Sequence, residues 1–390
     1  MMLPFVNDLE DVELPLPTPL RMQADTRFTG KGVTIALIDS GFYPHADLTR
    51  PRNRILWHVD ARLLRPRESA LPGLTRHVTQ WHGTMTSCVC AGNGYASMYR
   101  YTSLAPDAQV VLVRVGQVGS THITERDIAR GLRWVLENAS RFHVRVVNIA
   151  VGGDIPSTGR PTPLDALVEE VVKQGIVVVC AAGNSGARRI IPPASAASAI
   201  TVGGVDDRNT LTPQRWQMYH SSFGRGAYGV MKPELLAPAA WLAAPMLPNT
   251  RTHREADFLW KLERADDLTL RRLLHTPTAK RWLGSEVTAG DLNMARRAIR
   301  QRINREKLVH PHYQHVDGTS FAAAIVSSLA AQMLEANPTL SPTEVKEIMM
   351  QTAQPLDDVP MERQGAGVVQ ARQAIAAALA RFVESDYPLT

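Results

Sequence analysis

The 390-residue sequence predicts an α/β protein built on a doubly wound, mostly parallel sheet flanked by helices. Two observations carry this reading. Short apolar runs at 32–41, 108–115, 144–153, 175–182 and 200–205 are separated by segments with helical spacing, the pattern of buried parallel strands with crossover helices. Near the C-terminal end, residues 321–334 carry only Ser327, Ser328 and Gln332 as polar side chains. A helix apolar nearly all round belongs in the interior.

Residues 1–25 are acidic and contain Pro4, Pro15, Pro17 and Pro19, so they read as an extended N-terminal arm. The first apolar run ends in Ile38-Asp39-Ser40-Gly41, a strand that delivers an aspartate into a loop. Trp81-His82-Gly83 opens a helix of small residues. A strand at 108–115 precedes a helix at 124–138 with Ile128, Leu132, Val135 and Leu136 on one side. The strand at 144–153 runs into Ala150-Val151-Gly152-Gly153. After a helix at 164–174, the next strand runs into Ala181-Ala182-Gly183-Asn184. Sites in such sheets collect at the carboxyl ends of strands, so Asp39, Gly152 and Asn184 can converge on one edge.

Residues 249–315 differ in composition and read as a helical insertion ahead of the central helix. Phe258, Leu259 and Leu262 suggest one helix, and Leu268, Leu270, Leu273 and Leu274 another. Thr288-Ala289-Gly290-Asp291 resembles a capping box before Leu292, Ala295, Ile299 and Ile303, which follow amphipathic spacing. After the central helix, Ser341-Pro342-Thr343-Glu344 is a capping box with proline at the first helical position. An Ala-rich helix at 368–382 closes the chain.

The formal charge of +6 lies in the insertion, where 14 Lys and Arg face 8 Asp and Glu, so the rest is neutral overall. The acidic start does not read as a secretory signal, and no run approaches the ~18 apolar residues of a membrane span. Cys88, Cys90 and Cys180 have neither a disulfide framework nor metal spacing. Lying in apolar segments, they point to a reducing, cytoplasmic setting.

Asp39, His82, Asn184 and Ser320 sit in small, glycine-rich settings. Taken singly, they read as a turn former, a packed histidine, a loop residue and a helix cap. Taken together, they are the residue types of acyl transfer. A serine hydroxyl becomes a nucleophile when a histidine removes its proton, an aspartate orients that histidine, and an asparagine donates to the tetrahedral oxyanion. Ser320 lies in the first turn of the apolar helix, beside unpaired N–H groups and the positive end of the helix dipole.

These motifs resemble those of the subtilisin-like serine peptidases, or subtilases, along most of the chain. Ile38-Asp39-Ser40-Gly41 looks like the aspartate motif, His82-Gly83-Thr84 the histidine motif, and Gly318-Thr319-Ser320-Phe321-Ala322-Ala323 the serine motif. Val147-Asn148-Ile149-Ala150-Val151-Gly152-Gly153 resembles the substrate-binding strand, and Ala181-Ala182-Gly183-Asn184-Ser185-Gly186 the oxyanion loop. The resemblance implies a serine endopeptidase of subtilisin-like fold, with residues 26–390 as the peptidase domain. By the same resemblance Ser320 attacks, His82 is base and then acid, Asp39 orients His82, and Asn184 serves the oxyanion. Ala150, Val151 and Gly152 would pair with an extended peptide, and Ala181, Ala182 and Gly183 would line part of the pocket for the residue before the scissile bond.

The sequence departs from the family pattern at Met85, Ala324 and Ala150. These changes bear on substrate preference and helix-start geometry, and none removes a proton-transfer group. No cofactor is implied. Asp47 falls at a usual calcium-ligand position of the family, but residues 93–100 lack a carboxylate cluster for a hard cation, so calcium is not supported.

Leu3-Pro4-Phe5-Val6 is reminiscent of short inhibitory segments in intracellular subtilisins, against the plainer reading of a brace or frayed end. The insertion is a candidate surface for an acidic regulator, for nucleic acid less so, because its helices carry both charge signs. The expected partner is a protein or peptide substrate from a restricted set, with no membrane. The alternatives are a catalytically silent peptide-binding scaffold and a nucleic-acid-responsive regulator built on the insertion.

Overall fold

The computed structural model describes residues 14–63, 65–74, 77–117 and 122–386. Within the segment expected to be an extended arm, the chain forms one helical turn, α1 (Thr18–Arg21), with proline in its first turn. Proline pre-sets the backbone angle a helix start needs. Leu3-Pro4-Phe5-Val6, the proposed inhibitory stretch, lies outside the described residues.

Strands and helices then alternate: β1 (Thr34–Asp39), α2 (Ala46–Thr49), β2 (Ile55–Asp60), β3 (Arg67–Ser69), α3 (Trp81–Ala91), β4 (Gln109–Arg114), α4 (Glu125–Phe142), β5 (Val144–Ile149), α5 (Pro163–Lys173), β6 (Val177–Ala181), β7 (Ile200–Asp206) and β8 (Gln217–Met218). A ribbon of β9 (Gly224–Arg225) and β10 (Met231–Lys232) precedes β11 (Leu235–Pro238). The main sheet has the order β11-β7-β6-β5-β1-β4-β2-β3, with β8 added on β7. Its pairings are parallel except for β3 against β2 and β8 against β7. β1 therefore lies between β4 and β5, where the strand order reverses. The crevice beyond the carboxyl ends of the strands at such a switch point is where open α/β sheets hold their sites. β2 has no clear signal in the sequence, because its half-buried run Ile55-Leu56-Trp57-His58-Val59-Asp60 mixes apolar and polar side chains.

After β12 (Leu242–Pro245), the insertion forms α6 (Arg251–Glu263), α7 (Asp267–Leu274), α8 (Pro277–Leu283), α9 (Ser285–Ala289) and α10 (Leu292–Arg305). The cap of α10 differs from the expected Thr288. Asp291 accepts the Met294 amide at 2.8 Å, while Thr288 belongs to α9 and its hydroxyl donates to the Ser285 carbonyl at 3.1 Å. Nor is the segment helical as far as residue 315. It ends in β13 (Leu308–His310) and β14 (Tyr313–Val316), which form a three-stranded antiparallel sheet with β12. The strand partner that draws 308–316 out of helix lies some seventy residues away in sequence, beyond local pattern reading.

The chain ends with α11 (Thr319–Ala336), α12 (Pro342–Gln351), α13 (Met361–Gln364) and α14 (Ala371–Asp386). Ser341 and Glu344 form the capping box of α12 with Pro342 at its start. Helices α4 and α5 cover one sheet face with Ile128, Leu132, Leu164 and Val168. On the other, α3, α11 and α14 pack together with Leu259, Trp260, Ile299 and Ile303 of the insertion. Among the described residues, α11 alone is long and apolar enough to cross a membrane, and 94% of that window is buried inside the protein.

Candidate active site

Asp39 is the last residue of β1 and is wholly buried. Its Oδ1 accepts the Ser40 amide at 2.6 Å and the Ser40 hydroxyl at 3.1 Å, and its Oδ2 accepts the Thr86 hydroxyl at 2.9 Å. These three donors satisfy the buried carboxylate oxygens. His82 sits in the first turn of α3 with Nδ1 at 2.8 and 3.0 Å from the two Asp39 oxygens. Gly83 makes this approach feasible, because a Cβ there would lie 2.3 Å from the Gly41 carbonyl oxygen. Burial pushes the imidazole pKa down, but the Asp39 charge and hydrogen bond outweigh it, so the net shift is upward.

Ser320 is the second residue of α11 and is buried. Its amide has no intrahelical acceptor, as for any first-turn residue. Its hydroxyl donates to the Ala150 carbonyl at 3.1 Å. The ring of Phe321, the next residue, lies 6.0 Å from the His82 ring, which brings the serine and histidine elements side by side. Trp81 meets the imidazole edge-on at 5.3 Å.

Asn184, on the loop after β6, is oriented by Thr319. Its Oδ1 accepts the Thr319 amide at 2.9 Å and the Thr319 hydroxyl at 3.0 Å. With the oxygen so engaged, the amide NH₂ is left as the donor. Gly318, at φ +145°, passes 3.5 Å from that nitrogen at the position a Cβ would take. That distance is ordinary contact, so it is the dihedral that favours glycine.

Among the described residues, Ala150, Val151 and Gly152 leave the end of β5 without a strand partner and run to Gly153, whose amide donates to the Pro192 carbonyl at 2.9 Å. Ala181 ends β6. The Ala182 amide is bonded to Val202, the Gly183 amide to the Thr319 hydroxyl at 3.1 Å, and the Gly183 carbonyl to the Ser222 amide at 2.8 Å. The backbone of Ala150–Gly152 is thus the more open of the two stretches, while Gly183 has both backbone groups engaged.

Three supporting residues escape the sequence reading: Ser40, Thr86 and Thr319. Thr86 lies four positions after His82 on one helix face, a spacing that could have identified it. Thr319 carries no such local signal, because Asn184 and Gly183 reach it only through the fold.

Away from this crevice, His45, Asp47 and Cys88 are buried with one ligand-type atom each within 4.8 Å of the others. They do not fit calcium, which takes six to eight oxygens. Asp47 Oδ1 accepts the Ala96 amide at 2.9 Å and Oδ2 accepts the Tyr313 hydroxyl, while His45 Nδ1 accepts the Asp47 amide at 3.2 Å. Burial raises the Cys88 thiol well above its usual range and lowers the His45 imidazole. Both therefore stay neutral.

A doubly wound sheet with a carboxylate–histidine pair and a helix-start serine gathered at its switch point defines an α/β enzyme of the serine-hydrolase type. Residues 30–367 match the subtilase family model, and the chain belongs to that family of subtilisin-like serine proteases. It is 30% identical over 356 residues to the serine protease AprX of Bacillus subtilis, covering 89% of this chain and 67% of that protein. To subtilisin Savinase of Lederbergia lenta it is 32% identical over 184 residues, 46% of this chain and 58% of the other. A solved protease structure from Pseudoalteromonas arctica shares the fold with a TM-score of 0.60 at 21% identity, covering 95% of this chain and 96% of that one.

Proposed function

We propose that this protein is a serine endopeptidase in which Ser320 is the nucleophile, His82 the general base and then acid, and Asp39 the group that orients His82. The observation that carries the reading is the Nδ1 contact of His82 with the buried Asp39 carboxylate, beside a serine at the start of α11. That contact leaves Nε2 as the nitrogen that takes the hydroxyl proton. Ser320 Oγ rotates from the Ala150 carbonyl toward Nε2 and forms a bond to the substrate carbonyl carbon. The proton passes to His82 and then to the leaving amine, and water, deprotonated in turn by His82, releases the acyl group. The Asn184 NH₂ and the Ser320 amide donate to the oxyanion, a contribution of about 3–4 kcal/mol for one such donor in a dry site.

An extended peptide pairs with Ala150–Gly152, while Ala181–Gly183 wall part of the adjoining pocket. The insertion beside the serine loop supports a restricted substrate set. Several of its arginines pair with its own acids, Arg300 with Glu263 at 2.9 Å, Arg302 with Glu255 at 2.6 Å and Arg296 with Asp267 at 2.8 Å. This supports a packed helical face over a nucleic-acid groove, with an acidic protein regulator as the remaining partner. Three buried free cysteines suit a reducing, cytoplasmic setting, and the satisfied Asp47 suits turnover without calcium.

A fluorophosphonate probe tests the assignment. Wild type should become labelled and Ser320→Ala should not. Equal labelling of both, or none in either, would leave a silent peptide-binding scaffold as the answer.

A further inference from the structure

Arg21 closes α1, and its side chain is wholly buried although the segment around it is N-terminal and largely irregular. The guanidinium grips two places at once. Nε donates to Asp207 Oδ2 at 2.8 Å and Nη2 to Asp207 Oδ1, just past β7. On its other side Nη2 donates to the Ala240 carbonyl at 2.9 Å and Nη1 to the Trp241 carbonyl at 2.7 Å. This fork of four bonds is one only arginine can make.

The stretch it holds carries the serine loop. The Gly318 amide donates to the Ala239 carbonyl at 2.7 Å, and the Trp241 amide donates to Asp317 Oδ1 at 2.9 Å. The Ala240 carbonyl and the Trp241 N–H are the two ends of one peptide unit, which is planar and stiff. Arg21 holds one end and Asp317 receives the other, so the plane that Arg21 sets is the plane that aims at Asp317. Trp241 adopts φ +57°, a conformation a bulky residue keeps only when its surroundings hold it there. Its indole stacks on His315 of β14 at 4.3 Å and 13°. Lys307, between α10 and β13 of the insertion, donates to Asp317 Oδ2 at 2.8 Å. Asp317 and Gly318 immediately precede Thr319, which orients Asn184, and Ser320.

We propose that Arg21 is a positioning residue for the acyl-transfer step, through which the N-terminal segment braces the serine loop in its working geometry. The proposal rests on Ser320 being the nucleophile. It assigns Arg21 a supporting role in turnover, opposite in sign to an inhibitory arm. A displacement of about 1 Å at a reacting group can cost on the order of 100-fold in rate, so a loosened serine loop should lower kcat with little effect on KM.

The test compares full-length wild type, Arg21→Lys, Asp207→Asn, Asp317→Asn, the Arg21→Lys/Asp317→Asn pair and Asn209→Ala. Kinetics on a chromogenic peptide anilide and melting temperatures are measured side by side. Lysine can keep an ion pair with Asp207 but cannot also span both carbonyls. Arg21→Lys should therefore lower kcat by at least about tenfold with KM within about twofold, at a melting temperature near that of wild type. The Asn209 side chain ties down Leu14 and Leu16 without touching the 239–241 stretch, and its backbone amide, which donates to Asp207 Oδ1 at 3.0 Å, is retained on substitution, so Asn209→Ala should keep the wild-type kcat. The double variant should lose no more than its worse single parent, because both residues act through one peptide unit. A wild-type kcat in Arg21→Lys, an equal loss in Asn209→Ala, or multiplicative losses in the double variant would overturn the brace. If Arg21→Lys does not fold, Asp207→Asn carries the same expectation and the same refutation. Wild type left unlabelled by the fluorophosphonate would overturn the Ser320 assignment and the brace with it, whereas labelled wild type with unimpaired variants overturns the brace alone.

Discussion

His82 owes its properties to one neighbour. Burial alone would keep the imidazole neutral into the acid range, but the Asp39 carboxylate raises its pKa above the ordinary 6.5. The protonated pair then contributes stability that is fully present below the unfolded-state value and is lost as pH rises through the raised folded-state value. Activity runs the other way, because the general base must be neutral. The kcat/KM of wild type should climb through a pKa above 6.5. Asp39→Asn should move that limb to lower pH and cut kcat by about 10⁴-fold, as loss of the orienting carboxylate does elsewhere. A pH–rate profile of the two proteins checks both, and an unmoved acid limb would disprove the coupling. At this scale Asp39, His82, Asn184 and Ser320, the residues proposed for acyl transfer, stand out together in the sequence, because that chemistry needs particular side chains in small-residue loops. Thr319 and Ser40 do not, since threonine and serine in loops carry many ordinary roles.

The elements divide by how their patterns arise. β1, β4, β5, β6 and β7 are buried on both faces and show as continuous apolar runs, and α11 shows as a helix without a wet side. Strands with partners far along the chain are nearly silent, as with β2, and with β13 and β14, which continue a segment expected to be helical. The insertion helix α10 was visible from Leu292, Ala295, Ile299 and Ile303, and the last three of these are wholly buried in the main core. Ile299→Ala should therefore destabilise the whole protein by about 2–5 kcal/mol, read as a lower denaturation midpoint, with kcat per folded molecule unchanged. An insertion that unfolds separately while the body's midpoint stays fixed would show that it is not part of that core.

On the scale of the molecule, the insertion and the peptidase body are joined at Tyr313. This residue of β14 is buried and donates its hydroxyl to Asp47 of α2, where a cation would otherwise be expected in this family. Tyr313→Phe leaves a buried carboxylate oxygen short of a donor, at a cost of about 1–3 kcal/mol. Its melting temperature should fall and calcium should not restore it, while a chelator should leave wild type unchanged. A chelator-sensitive melting temperature in wild type would refute this. The sequence by itself determined the sheet class and the central helix, and it offered Asp39, His82, Asn184 and Ser320 as the candidates for acyl transfer, because burial and proton transfer each demand particular residue types. Only the tertiary structure decided that Arg21 and Lys307 converge on the serine loop, that Tyr313 meets Asp47, and that Arg296, Arg300 and Arg302 of the insertion pair with its own acids. Those arrangements depend on which distant surfaces meet, and any exposed arginine, lysine or tyrosine looks the same along the chain until its partner is brought to it.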